Sequence, residues 1–136
     1  MRYVVLTVTL LFFSCDELHK SFLDLLINTN SKGNEYKFIG LWVQMKFLDR
    51  KVIYEKSIEF DKNKPGIEFK SDNSLIKRQI IGWCGTPPVT YGNYTGTWKF
   101  VGTNILEVIY EYWGGQDTSE IFLDSVSNDL LILEWK

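Results

Sequence analysis

The stretch Leu106-Glu107-Val108-Ile109-Tyr110-Glu111-Tyr112 decides the fold. Leu106, Val108, Tyr110 and Tyr112 share one face, and Glu107 and Glu111 fall on the other. A period of two belongs to an extended chain, because successive side chains of a strand point to opposite faces. The alternation returns where Ile121 and Leu123 interleave with Glu120 and Asp124, and where Leu131, Leu133 and Trp135 oppose Glu134. Each of these strands therefore has one dry face and one wet face, the signature of antiparallel pairing.

Working outward, short β-rich runs continue back to Tyr36. The pattern predicts strands near 37–48, 51–61, 66–71, 74–82, 94–101, 104–113, 117–125 and 129–135. Between them stand turn formers: Asp49-Arg50, Asn63-Lys64-Pro65-Gly66, Asp72-Asn73, Gly102-Thr103-Asn104, Gly114-Gly115 and Ser127-Asn128-Asp129. Most of these links have hairpin length. An open sheet of eight strands would leave two bare edges, whereas closure removes them. The expectation is an all-β, eight-stranded antiparallel up-and-down barrel over residues 36–136, with a short helix before it.

The amino-terminal segment follows different rules. Met1-Arg2 is basic, Val4 to Phe13 is uncharged and mostly apolar, and Ser14-Cys15 is followed at once by Asp16-Glu17. Ten such residues rise only ~15 Å as a helix, about half a bilayer core, which fits a signal-peptide core and not a membrane span. Leu10-Leu11-Phe12-Phe13-Ser14-Cys15 resembles a bacterial lipoprotein signal, although Phe12 and Phe13 depart from the usual leucine and small residue. The resemblance implies cleavage after residue 14, lipidation of Cys15 and a membrane-anchored cell-envelope protein, at the outer membrane or cell surface. The alternative is an ordinary secretory signal that contains a cysteine. Residues 15–35 then read as a tether, in which Leu18, Phe22, Leu25 and Leu26 carry the spacing of a short amphipathic helix.

Composition narrows the function classes. Loss of residues 1–14 removes Arg2 and leaves 14 basic against 17 acidic residues, interspersed along the chain. That balance argues against nucleic-acid binding. With Cys15 lipidated only Cys84 remains, so no intrachain disulfide is expected. His19 is the one histidine, which leaves the usual nucleophile triads and histidine metal sites without their parts. The pairs Glu107 and Glu111, and Glu55 and Glu59, read as solvent-facing. No catalytic residue, metal or cofactor is expected.

Gly40-Leu41-Trp42 opens the first long strand just after the tether. Together with eight strands, the size and the preceding helix, it resembles the Gly-x-Trp signature of the lipocalin and calycin group. Gly96-Thr97-Trp98 is a second Gly-x-Trp. The resemblance implies a lipocalin-like barrel, with Trp42 closing one end under a basic side chain from a late strand. Only the terminal Lys136 offers itself for that last role.

The candidate ligand-binding residues are Trp42, Lys46, Arg78, Trp83, Tyr91, Trp98, Tyr110 and Tyr112. If Trp42 points inward, parity sends Gln44 and Lys46 inward as well. Lys56 shares parity with Ile58 and Phe60, and Arg78 is flanked by Ile76 and Ile80. Cations among apolar interior residues would meet the carboxylate of an amphiphile. The alternative is a bulge that flips parity and returns these charges to water. The uncharged 83–93 segment, rich in glycine, proline and aromatics, either covers a pocket or packs as a rigid rim.

The expected function is a lipid-anchored, non-enzymatic extracytoplasmic protein holding a small hydrophobic or amphipathic molecule in its barrel. The competing expectation is an envelope or surface interaction module, an inhibitor or accessory subunit, that uses the 83–93 loop to bind another protein.

Overall fold

The computed structural model describes residues 37–81 and 87–136. Among them, eight strands form one closed barrel. They are β1 (Gly40–Leu48), β2 (Lys51–Ser57), β3 (Gly66–Phe69), β4 (Ser74–Ile80), β5 (Tyr91–Gly102), β6 (Ile105–Tyr112), β7 (Gly115–Val126) and β8 (Leu130–Trp135). All neighbours pair antiparallel. This closed architecture is compatible with a lipocalin-like fold. The signal, the tether helix, Cys15, Trp83 and Cys84 lie outside the described residues.

The expectation of a plain up-and-down barrel is corrected. The order around the ring is β1-β2-β8-β7-β6-β5-β4-β3. Strands β3 to β8 follow one another as a meander. The β1–β2 hairpin is inserted so that β1 meets β3 and β2 meets β8. Strands β2 and β3 therefore run in the same direction on either side of β1, and residues 58–65 must cross that strand.

The cause is local. The expected strand 51–61 stops at Ser57, whose hydroxyl donates to the Glu59 carbonyl at 2.8 Å, and Asp61 accepts from the Asn63 amide at 2.8 Å. These side chains compete with ladder hydrogen bonds and turn the chain out of the sheet. Pro65 then docks on β1 by accepting from the Gln44 amide at 2.9 Å. Gly66 is required there, since a Cβ would stand 2.8 Å from the Trp42 carbonyl and 3.0 Å from the Phe60 ring.

Tight turns close the β1–β2, β3–β4 and β5–β6 links. Asp49, Asn73 and Asn104 take φ of 56°, 66° and 58°. Aspartate and asparagine tolerate this left-handed region better than bulkier residues. Along β1 the register slips between Gln44 and Lys46, so Gln44 faces Tyr54 while Lys46 faces Ile53. Met45 is the extra residue of a bulge, and beyond it the inward and outward faces exchange.

The lower end of the barrel, where β1 begins, is packed solid. Phe38 is fully buried there, with Phe69 and Trp98 ring centroids each 5.1 Å away and Phe100 at 5.8 Å, all edge-on. Edge-to-face contacts suit the positive rim and negative face of aromatic rings. The indole N–H groups are both satisfied: Trp42 donates to the Phe38 carbonyl at 2.6 Å, and Trp98 to the Lys70 carbonyl at 3.0 Å. Ile67, Leu75, Leu106, Val108, Ile121, Leu131 and Leu133 fill the layers above.

Candidate functional site

At the upper end the filling changes from apolar to polar. Strand β4 places Leu75 in the core, opposite Phe69 of β3, so the same face carries Lys77 and Gln79 into the barrel. Strand β1 supplies Gln44 before its bulge, β2 supplies Tyr54, and β6 supplies Tyr110 and Tyr112. Asp117 enters from β7, directly opposite Tyr110 in the register. Together they line a cavity of about 690 Å³ that opens at this end. Ile80 and the half-exposed Trp113 border its rim. Eight strands leave an interior that side chains can just fill, or one that holds a single small ligand. Here the two solutions are stacked in one barrel.

Lys77 dominates the electrostatics of this cup. Its Nζ stands 3.9 Å from the Tyr110 ring centroid and 4.1 Å from that of Trp135. Aromatic faces attract a cation, but they replace water poorly. Burial accordingly pulls the ammonium group down from 10.5 to about 8, against the smaller opposing pull of Asp117. The Tyr110 hydroxyl donates to Asp117 Oδ2 at 2.6 Å, and the Ser119 hydroxyl adds a 3.3 Å bond to the same oxygen. That hydrogen bond from Tyr110, first among the causes, holds the Asp117 carboxyl below its ordinary range. Burial raises the Tyr54 phenol, which the Trp135 side chain partly offsets by hydrogen bonding. Burial and then the bond to Asp117 raise the Tyr110 phenol. At neutral pH the cup thus presents one desolvated and still mostly protonated lysine, one carboxylate and the neutral phenols of Tyr54 and Tyr110.

The expected site residues separate on this map. Tyr110 and Tyr112 line the cavity. Trp42 and Trp98 do not; both are buried in the sealed lower end. The inward placement of Lys46 is corrected: the Met45 bulge turns it outward, where it is exposed. Arg78 borders the cavity, but its guanidinium holds the crossover, donating to the carbonyls of Asp61 at 2.9 Å and Lys62 at 3.1 Å and to Asn93 Oδ1 at 2.8 Å. Tyr91 begins β5 opposite Ile80 and is half-buried, outside the cavity lining. Trp83 lies outside the described residues.

The basic group over Trp42 is also reassigned. Lys56 of β2, not a late-strand residue, sits 4.9 Å from that ring and reaches the Ile39 carbonyl at 3.3 Å. Lys136 instead pairs with Glu120 at 3.4 Å. Gly40 does take a φ of 130°, a conformation that favours glycine. On the outer face Glu107 pairs with Lys99 at 2.8 Å, and Glu111 is exposed.

Lys77, Asp117, Gln79 and Trp135 are the functional candidates that pattern reading overlooks. Both faces of Leu75-Ile76-Lys77-Arg78-Gln79-Ile80 carry apolar residues and one cation, so alternation alone does not choose between them. The usable signal is the hairpin after β3, which sets Leu75 beside Phe69 and so sends Lys77 inward. Compared with known protein families, curated proteins and solved structures, the chain matches none.

Proposed function

We propose that this protein is a lipid-anchored, extracytoplasmic binding protein that holds one small amphipathic molecule in the open half of a lipocalin-like barrel. The observation that carries the reading is the cavity of about 690 Å³ with a desolvated Lys77 in its wall. Its volume falls within the range of small-molecule sites, which combine apolar walls with a few oriented polar groups. Tyr112, Trp113 and Ile80 offer apolar contact, while Gln44, Gln79 and Lys77 offer donors. A molecule with a greasy body and one polar end satisfies both. The anchor and the envelope location rest on the sequence around Cys15.

Mass spectrometry of organic extracts from the purified, folded protein tests the proposal. A co-purifying amphiphile near one per chain is expected, and its amount drops in a Tyr112→Ala variant. An empty cavity together with a stoichiometric protein partner would favour the surface-interaction reading, which draws on the exposure of Trp113 and Ile81 beside the mouth.

A further inference from the structure

Lys77 is the one lysine among the described residues that line the cavity, and nothing in the binding reading requires it to be an amine rather than a guanidinium. Its surroundings are unusual for a simple anion anchor. A carboxylate, Asp117, already lines the same space, and Tyr110 with Ser119 keep it oriented and ionised. A second carboxylate arriving with a ligand would meet that charge. The aromatic faces of Tyr110 and Trp135 flank the nitrogen and exclude water from it. The charged groups that share the cavity lining with Lys77 are Asp117 of β7 and Arg78 of β4, whose guanidinium is engaged by the Asp61 and Lys62 carbonyls and Asn93. The neutral phenols of Tyr54 and Tyr110 and the amide of Gln79 complete its surroundings.

We infer that Lys77 captures carbonyl-bearing apolar ligands, aldehydes in particular, as a reversible Schiff base within the barrel. This deepens the binding reading, on which it rests, by naming the ligand class. The nitrogen lone pair attacks the carbonyl carbon, a C–N bond forms, and the C=O π pair moves to oxygen to give a carbinolamine. That oxygen then leaves as water, carrying both hydrogens of the neutral amine, and the imine remains. No electron donor or acceptor is needed. When the imine is protonated, the ionised Asp117 is its counter-charge.

The chemistry needs the neutral amine, and the site supplies it. With Lys77 at about 8 in place of 10.5, about a tenth of the side chain is unprotonated at pH 7, roughly 300 times the fraction of an ordinary lysine. Desolvation of a lysine in an apolar pocket is a general route to a nucleophilic amine.

The test incubates the folded protein with decanal and cyanoborohydride near pH 7, followed by intact-mass measurement and peptide mapping. The expected result is one alkyl adduct per chain at Lys77, forming at least about tenfold faster than at any other lysine, with a rate that rises through an inflection near pH 8. Lys77→Met and Lys77→Arg both abolish the fast adduct, and the arginine variant keeps the charge. Native mass spectrometry with decanol, which cannot form an imine, separates the two claims. Decanol bound one to one, with decanal marking lysines indiscriminately, overturns covalent capture and leaves the binding reading standing. Neither decanol retention nor a Lys77 adduct overturns both.

Discussion

The two ends of this barrel obey the same alternation and reach opposite outcomes. Below, the inward positions are Phe38, Trp42, Phe69, Trp98 and Phe100; the rings of Phe38, Phe69, Trp98 and Phe100 meet edge-on, and the Trp42 indole donates to the Phe38 carbonyl. Above, the inward positions are Gln44 of β1, Lys77 and Gln79 of β4, Tyr110 of β6 and Asp117 of β7, and a cavity remains. Parity only decides which residues face in. Whether the inside is solid or hollow depends on which side chains occupy successive inward steps. The change from Leu75 to Lys77 along β4, and from Val108 to Tyr110 along β6, is where the core ends and the cup begins.

Matched truncations sharpen this contrast most. Trp42→Ala, in the sealed end, is expected to lose about 3–5 kcal/mol, because it removes a fully buried ring and leaves a void its neighbours cannot fill. Tyr112→Ala, at the cup, is expected to cost less than about half as much, since water already reaches that space. Urea unfolding midpoints at constant slope would measure both. Equal losses would mean that the two ends are equally packed.

The next effect has the opposite sign. Lys77 binds its proton less tightly in the folded chain than in the unfolded one, so the folded state bears a cost wherever the group is charged. Below about pH 8 both states are protonated and the cost is present in full. Between about 8 and 10.5 the unfolded chain holds more protons, so stability rises with pH across that window. Lys77→Met is therefore expected to stabilise the protein by up to about 3 kcal/mol at pH 7, with the advantage fading by about pH 10.5. Thermal or urea melts of both proteins across that pH range would show the convergence. A pH-independent difference would mean that packing, not charge, separates them.

The smallest effect belongs to the outer face. Lys99 and Glu107 lie 2.8 Å apart on neighbouring strands, but the lysine is well exposed. Lys99→Ala is expected to change stability by less than about 1 kcal/mol, and by less still in high salt. Unfolding curves at low and high salt provide the check, as a control that touches neither end.

Much of the lower end was legible in the sequence. The alternation from Leu106 to Trp135 identifies the dry face of β6, β7 and β8, and Gly40-Leu41-Trp42 marks a strand start whose tryptophan is buried. The upper end was less legible, because single residues reset what alternation predicts. Met45 bulges and turns Lys46 outward. Ser57 and Asp61 divert the chain through local hydrogen bonds, so β2 meets β8 and the meander begins only at β3. Arg78 looks like an interior cation from its isoleucine neighbours, yet its donors serve the crossover carbonyls. Asp117 shares parity with Ile121 and Leu123, but only the β6–β7 register shows that it meets Tyr110. The deciding information lies in the register between strands or in side-chain hydrogen bonds, neither of which a single strand's alternation contains.

The most direct test of a barrel sealed below and open above is an NMR titration of the isotope-labelled protein with decanol. Saturable shifts at Gln44, Lys77, Tyr110 and Tyr112, with Phe38, Phe69 and Trp98 unmoved, are the predicted result. Shifts centred on the Phe38 end, or scattered over the outer faces of the strands, would contradict it.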